Sequence, residues 1–188
     1  MRTNNSSLTP CLILTLGLSV LGAWPSSAED TTLIALGIRG GASGYSPLGG
    51  EQQEAFQQYD VAATFRLPWS WHHRSGLGLG TRLIASAGAI RGAGETGFIG
   101  TLVPGIALTS ETWRTSVDVG FGGGLFSDYT FGVQDFGGPF QFVGTTGIGF
   151  ALYPRLIAGY RFQHISDAHI YDDGRGFDMN MLELNYRF

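Results

Sequence analysis

The chain has 188 residues, 30 of them glycine, with only 14% charged side chains and no lysine. A soluble domain carries about 25% charged residues, so much of this surface faces something other than water. The formal charge of −4 and the absence of a basic stripe exclude nucleic acid as a partner.

Residues 1–28 read as a secretory signal peptide: Arg2 stands near the start, an apolar run extends from Cys11 to Trp24, and Ser26-Ser27-Ala28 supplies the small residues a signal peptidase needs. The run is short for a membrane helix, and no later stretch offers 18 unbroken apolar residues. Cys11 would leave with the leader, so the remaining 29–188 has no disulfide to staple it. Removing the leader takes away one arginine and no acid, which moves the charge from −4 to about −5. What is left suits a single domain.

Period-two alternation between Gly/Pro or polar breaks predicts eight strands, at 31–41, 57–67, 76–90, 95–109, 113–126, 139–151, 154–166 and 178–188. In the second, Tyr59, Val61, Ala63, Phe65 and Leu67 oppose Ala62, Thr64 and Arg66. In the fifth, Trp113, Val117, Val119 and Phe121 oppose Arg114, Ser116, Asp118 and Gly120. The seventh sets Ala158, Tyr160 and Phe162 against Gly159, Arg161 and Gln163, and the eighth sets Leu182, Leu184, Tyr186 and Phe188 against Met181, Glu183, Asn185 and Arg187. One face is oily and the other polar or small. Alternation alone does not separate a soluble sandwich from a barrel whose oily face meets lipid.

Three features favour an all-β, eight-stranded antiparallel transmembrane barrel of the outer-membrane type. They are the leader, strand lengths that match a tilted crossing of the bilayer, and the terminal Asn185-Tyr186-Arg187-Phe188, which resembles the C-terminal signature of bacterial outer-membrane barrels. Closure also removes the unpaired edges that lipid forbids. Eight strands leave room inside only for side chains, which argues against transport. Lumen arginines such as Arg66, Arg82, Arg114 and Arg161 then need partners such as Asp118 and Glu183. The segments 42–56, 127–138 and 167–177 read as longer extracellular loops, and the link around Tyr153 and Pro154 as a periplasmic turn. Whether the barrel pairs with a second copy is undecided, so a homodimer stays open.

Following the oily parity of the seventh strand past Phe162 reaches His164 and Ser166. Following that of the eighth strand back from Leu182 reaches Asn180 and Asp178. Polar groups therefore gather at one outer rim, where lipid makes them costly. Residues two apart on a strand share a face and lie about 6.5–7 Å apart. An imidazole activates a serine hydroxyl, and a carboxylate on the far ring nitrogen fixes the tautomer.

Other clusters carry blander readings. His72 and His73 beside Trp69 and Trp71 fit an interfacial aromatic belt, since no further ligands complete a metal site. His169, Asp172 and Asp173 read as a solvated loop before a cation site. Gly122-Gly123-Gly124 has no following lysine or helix and is no phosphate loop. Glu183 rivals Asp178 as the acid, but its parity points to the lumen.

The run from Arg161 through Gln163, His164, Ile165, Ser166, Asp167 and Ala168, the glycine-containing loop through Gly174 and Gly176, Asp178 and the closing Tyr186-Arg187-Phe188 together resemble the lipid A 3-O-deacylase (PagL-type) family. The tight motif covers about the last 30 residues; Gly138 to Phe142 and Gly147 to Gly149 look family-like more weakly. The resemblance implies an eight-stranded outer-membrane barrel that removes the ester-linked 3-hydroxyacyl chain at position 3 of lipid A, or of lipopolysaccharide, with no cofactor or metal. It implies His164 as general base, Ser166 as nucleophile and Asp178, 14 positions after the histidine, as the orienting acid. The family pattern has asparagine after the serine, where its amide helps hold the oxyanion, and this chain has Asp167. An ionised carboxylate repels that charge. Three alternatives follow: backbone N–H groups near Ala168 hold the oxyanion, Asp167 is protonated, or activity is weak or lost. The rival reading is a non-catalytic barrel, an adhesin or envelope-stabilising protein.

Overall fold

The computed structural model describes residues 31–44, 52–171 and 176–188; the expected leader at 1–28, Asp172 and Asp173 lie outside them. Ten strands form: β1 (Thr32–Ser43), β2 (Phe56–His72), β3 (Leu77–Gly92), β4 (Glu95–Ser110), β5 (Thr115–Phe126), β6 (Thr130–Phe131), β7 (Gln134–Asp135), β8 (Phe140–Tyr153), β9 (Leu156–Ser166) and β10 (Gly176–Arg187). The two-residue strands β6 and β7 pair with each other inside the connection between β5 and β8. The other eight close a barrel in the order β1-β10-β9-β8-β5-β4-β3-β2, each paired antiparallel with its neighbours.

The eight barrel strands match the expected ranges to within two residues at every boundary but the end of β2, and two of the differences have a local reason. β2 runs on to His72, so Trp69, Trp71 and His72 belong to it. Its register with β3 shifts between Arg66 and Ser70, around Pro68, whose missing N–H breaks the ladder. β5 begins at Thr115 because Arg114 takes a left-handed φ of 52° and closes the preceding turn.

The oily parity points outward. Val61, Phe121 and Leu182 are exposed, Leu182 by 72%, while Asp118 and Arg161 on the alternate positions are buried. Inside, the charged residues pair with one another. Arg161 donates to Asp118 Oδ1 at 2.8 Å and to Glu183 Oε2 at 2.9 Å, and Arg82 reaches Asp118 at 3.4 Å. Gly147 makes this possible, since a Cβ there would lie 2.6 Å from Arg161 Nη2. Arg66 and Arg114, expected as lumen charges, are exposed instead. A second buried pair, Arg39 with Asp60, is bidentate at 2.6 and 2.9 Å.

One end of the barrel carries only short turns, at 73–76, 111–114 and 154–155, and is the turn end; the other carries the three longer connections β1–β2, β5–β8 and β9–β10 together with the two-residue turn 93–94, and is the loop end. At the loop end the interior is apolar. Phe56, Phe126, Phe131, Phe136 and Phe177 are all buried, with ring centroids 4.8 to 6.5 Å apart. The β6–β7 hairpin delivers Phe131 and Phe136 into this plug. Hydrogen bonds from Gln53 N to Gln134 Oε1 at 2.8 Å and from Gly132 N to Glu95 Oε2 at 3.2 Å hold it there.

Candidate active site

The register of one hairpin builds the site. β9 and β10 pair so that Asp178 stands opposite His164 and Gly176 opposite Ser166. In an antiparallel pair the two positions of each opposed couple have a constant sum, so the separation of 14 between His164 and Asp178 is a consequence of this register. On the other side, β8 sets Gly144 beside His164 and Phe142 beside Ser166. His164 and Ser166 follow the outward parity of Tyr160 and Phe162, while Arg161, Gln163 and Ile165 between them are buried in the barrel.

His164 Nδ1 and Asp178 Oδ1 are 2.6 Å apart. A carboxylate can only accept, so Nδ1 carries the proton in this bond and Nε2 is the free nitrogen. The Asp178 side chain is 1% exposed and that of His164 31%: the acid is sealed behind the imidazole, and the imidazole's outer edge is open. Ser166 lies on the same face of the same strand, two residues on. No hydrogen bond joins its Oγ to His164 among the described residues, and catalytic bonds of this kind are often long until substrate arrives.

Two glycines shape the surroundings. A Cβ at Gly176 would come within 2.9 Å of Ser166 Cβ and 2.8 Å of Ile165 O, so only glycine fits across from the serine. A Cβ at Gly144 would meet nothing within 4 Å, which leaves a notch in the wall beside His164. The notch is bordered by Phe142, which stacks on Phe121 with centroids 5.7 Å apart. Farther along the outward face of β10, Asn180 accepts a hydrogen bond from the Tyr160 hydroxyl.

Asp167 points elsewhere than the resemblance implies. It follows Ser166 and so takes the inward parity, and it is 1% exposed. Its Oδ1 accepts from His169 N at 3.1 Å and its Oδ2 from Tyr171 N at 3.2 Å. Both oxygens are thus spent on capping the next turn, in which Ala168 and His169 have φ of 51° and 65°. The Ala168 N–H has no acceptor among the described residues. Glu183, the rival acid, is bonded to Arg161 in the lumen. Among the described residues no group of three metal-ligating side chains forms.

The chemistry available to this rim is that of a carboxylate-oriented imidazole beside a serine, on a surface that meets lipid. A sequence profile of the family described as Lipid A 3-O-deacylase (PagL) matches residues 57–187. The chain belongs to that family. The lipid A deacylase PagL of Bordetella bronchiseptica is 28% identical over 159 residues, covering 80% of this chain and 84% of the relative. Among solved structures, the crystal structure of the outer-membrane enzyme PagL superposes with a TM-score of 0.66 at 20% identity, covering 82% of this chain and 99% of that one. Neisserial surface protein A, also solved by crystallography, shares the barrel at a TM-score of 0.50 and 9% identity, covering 85% and 100%. The barrel is thus an outer-membrane protein of the PagL family, and its outward oily face is its lipid face.

Proposed function

We propose that this barrel hydrolyses the ester-linked 3-hydroxyacyl chain at position 3 of lipid A, with Ser166 as nucleophile, His164 as general base and Asp178 as the acid that orients the imidazole. The single observation that carries the reading is the 2.6 Å contact of His164 Nδ1 with the buried Asp178, on the lipid face two residues from Ser166, in a member of this family. The loop end is then the outer side of the membrane, level with the ester bonds of lipid A.

Ser166 Oγ attacks the ester carbonyl and passes its proton to His164 Nε2. Asp178 stabilises the imidazolium through Nδ1–H. The negative charge on the former carbonyl oxygen is received by backbone N–H groups, among them that of Ala168, two residues after the serine. Collapse expels the sugar hydroxyl, which takes the proton from Nε2 as it leaves. Water, deprotonated by the same nitrogen, then releases the fatty acid and restores Ser166. The notch at Gly144 gives a lipid substrate access to the open edge of His164.

Expression of the chain in a bacterial outer membrane, extraction of lipid A and mass spectrometry test the proposal. Loss of one hydroxyacyl chain is the expected result. Unmodified lipid A from cells holding the folded, heat-modifiable barrel would sink it and favour the non-catalytic reading.

A further inference from the structure

The exposed charges of this barrel are sorted by end. At the loop end the described acids Glu54, Glu95, Asp128 and Asp135 outnumber the exposed Arg91. At the turn end every connection carries one exposed arginine: Arg74 between β2 and β3, Arg114 between β4 and β5, Arg155 between β8 and β9, and Arg187 where β10 meets the start of β1. Among the described residues none of the four forms an ion pair with a carboxylate. The one acid on these turns, Glu111, lies against Gly76.

Two of the four are held close together. Arg187 N donates to Arg155 O at 2.8 Å. Their side chains are steadied by neutral groups: Arg155 Nη1 donates to Tyr186 Oη at 3.0 Å and Arg187 Nη2 to Pro154 O at 2.9 Å. The bond to Tyr186 raises the Arg155 pKa. Each guanidinium has five N–H donors, so most of them remain to be offered outward. The same rim carries an aromatic belt of Trp69, Trp71, Trp113, Tyr153, Tyr186 and Phe188, all exposed, of the kind that sits at the headgroup level of a bilayer.

We propose that this arginine collar binds the phosphates of anionic phospholipid headgroups in the inner leaflet of the outer membrane, with Arg155, held by Tyr186 of the lipid face, as its best-placed member. Guanidinium groups match phosphate oxygens in pairs, and arginines at a membrane surface attract anionic lipid by about a factor of five each. The aromatic belt fixes the collar at the depth where those phosphates lie. The inference rests on the outer-membrane location and on the short turns facing the periplasm, not on the triad, so lipid preference and deacylation succeed or fail separately.

The protein reports on this rim by itself. In a Trp24→Phe background the remaining tryptophans, Trp69, Trp71 and Trp113, all stand at the turn end. The chain is folded into mixed vesicles of phosphatidylglycerol and phosphatidylcholine, with one lipid or the other brominated, and tryptophan quenching reads the local composition. Brominated phosphatidylglycerol should quench as though enriched roughly fivefold, and the enrichment should shrink as salt rises to about 1 M, where screening reaches only about 3 Å. Arg155→Gln with Arg187→Gln should abolish most of it, and the paired lysine replacements should restore part. Equal quenching by the two lipids in the unmutated collar would overturn the proposal, whether or not the variants fold. Displacement of the lipid by inorganic phosphate at constant ionic strength would make this a free-anion site and overturn the lipid assignment.

Discussion

Asp167 and Asp178 are both 1% exposed, and their surroundings give them opposite tasks. Asp178 meets an imidazole nitrogen, whereas Asp167 accepts two backbone N–H bonds. Asp178→Asn should leave the barrel folded and cut the deacylation rate by roughly 10⁴-fold, because an amide stabilises the wrong tautomer; a rate measured on purified lipid A checks this. Ser166→Ala should abolish turnover with the heat-modifiable mobility intact, and residual turnover would mean that the nucleophile lies elsewhere. From the family pattern alone, Asp167→Asn would raise the rate. Its place in the turn reverses the sign: an amide has one acceptor oxygen, so it loses one of the two capping bonds, at about 1 kcal/mol, and loosens Ala168. A faster Asp167→Asn variant would show that the side chain reaches the oxyanion after all. Strand parity made His164, Ser166 and Asp178 legible in the sequence. The inward turn of Asp167 follows from the same parity carried one residue further, but its two bonds depend on the left-handed backbone of Ala168 and His169, which no residue type there announces.

At the scale of elements, the long strands were readable because each alternates for ten residues or more. The β6–β7 hairpin was not, since its strands are two residues each and Thr130 to Asp135 lie in a polar stretch. Its consequence is structural: it brings Phe131 and Phe136 to Phe56 and Phe177 and seals the loop end. Phe136→Ala should lower stability by about 3–5 kcal/mol, read as a fall in the urea midpoint of the folded form. A shift under about 1 kcal/mol would mean the plug collapses to fill the gap. The bend of β2 at Pro68 could be read from the residue, but not its effect, because a proline at a strand's end and a proline inside a bulged strand look alike until the partner strand is known.

For the whole molecule, composition, leader and alternation pointed to a membrane barrel, and closure followed from the need to leave no edge in lipid. The lumen was only half legible. Asp118, Glu183, Arg82 and Arg161 meet as their parity requires. Arg39 and Asp60 were missed, because their meeting depends on the register between β1 and β2, which separate patterns do not reveal. Arg161→Met leaves two buried carboxylates with too few partners and should cost about 3–5 kcal/mol, while replacing all four charges with apolar residues of similar volume should recover most of it; denaturant titration of both variants checks the contrast. Arg161 sits three residues before His164, on the opposite face of the same strand. A slip of one residue in pairing β9 would send every side chain through the wall, exposing the guanidinium to lipid and withdrawing the imidazole and hydroxyl into the lumen. On the proposed chemistry, a barrel closed in the wrong frame would therefore carry neither base nor nucleophile on the face that meets its substrate.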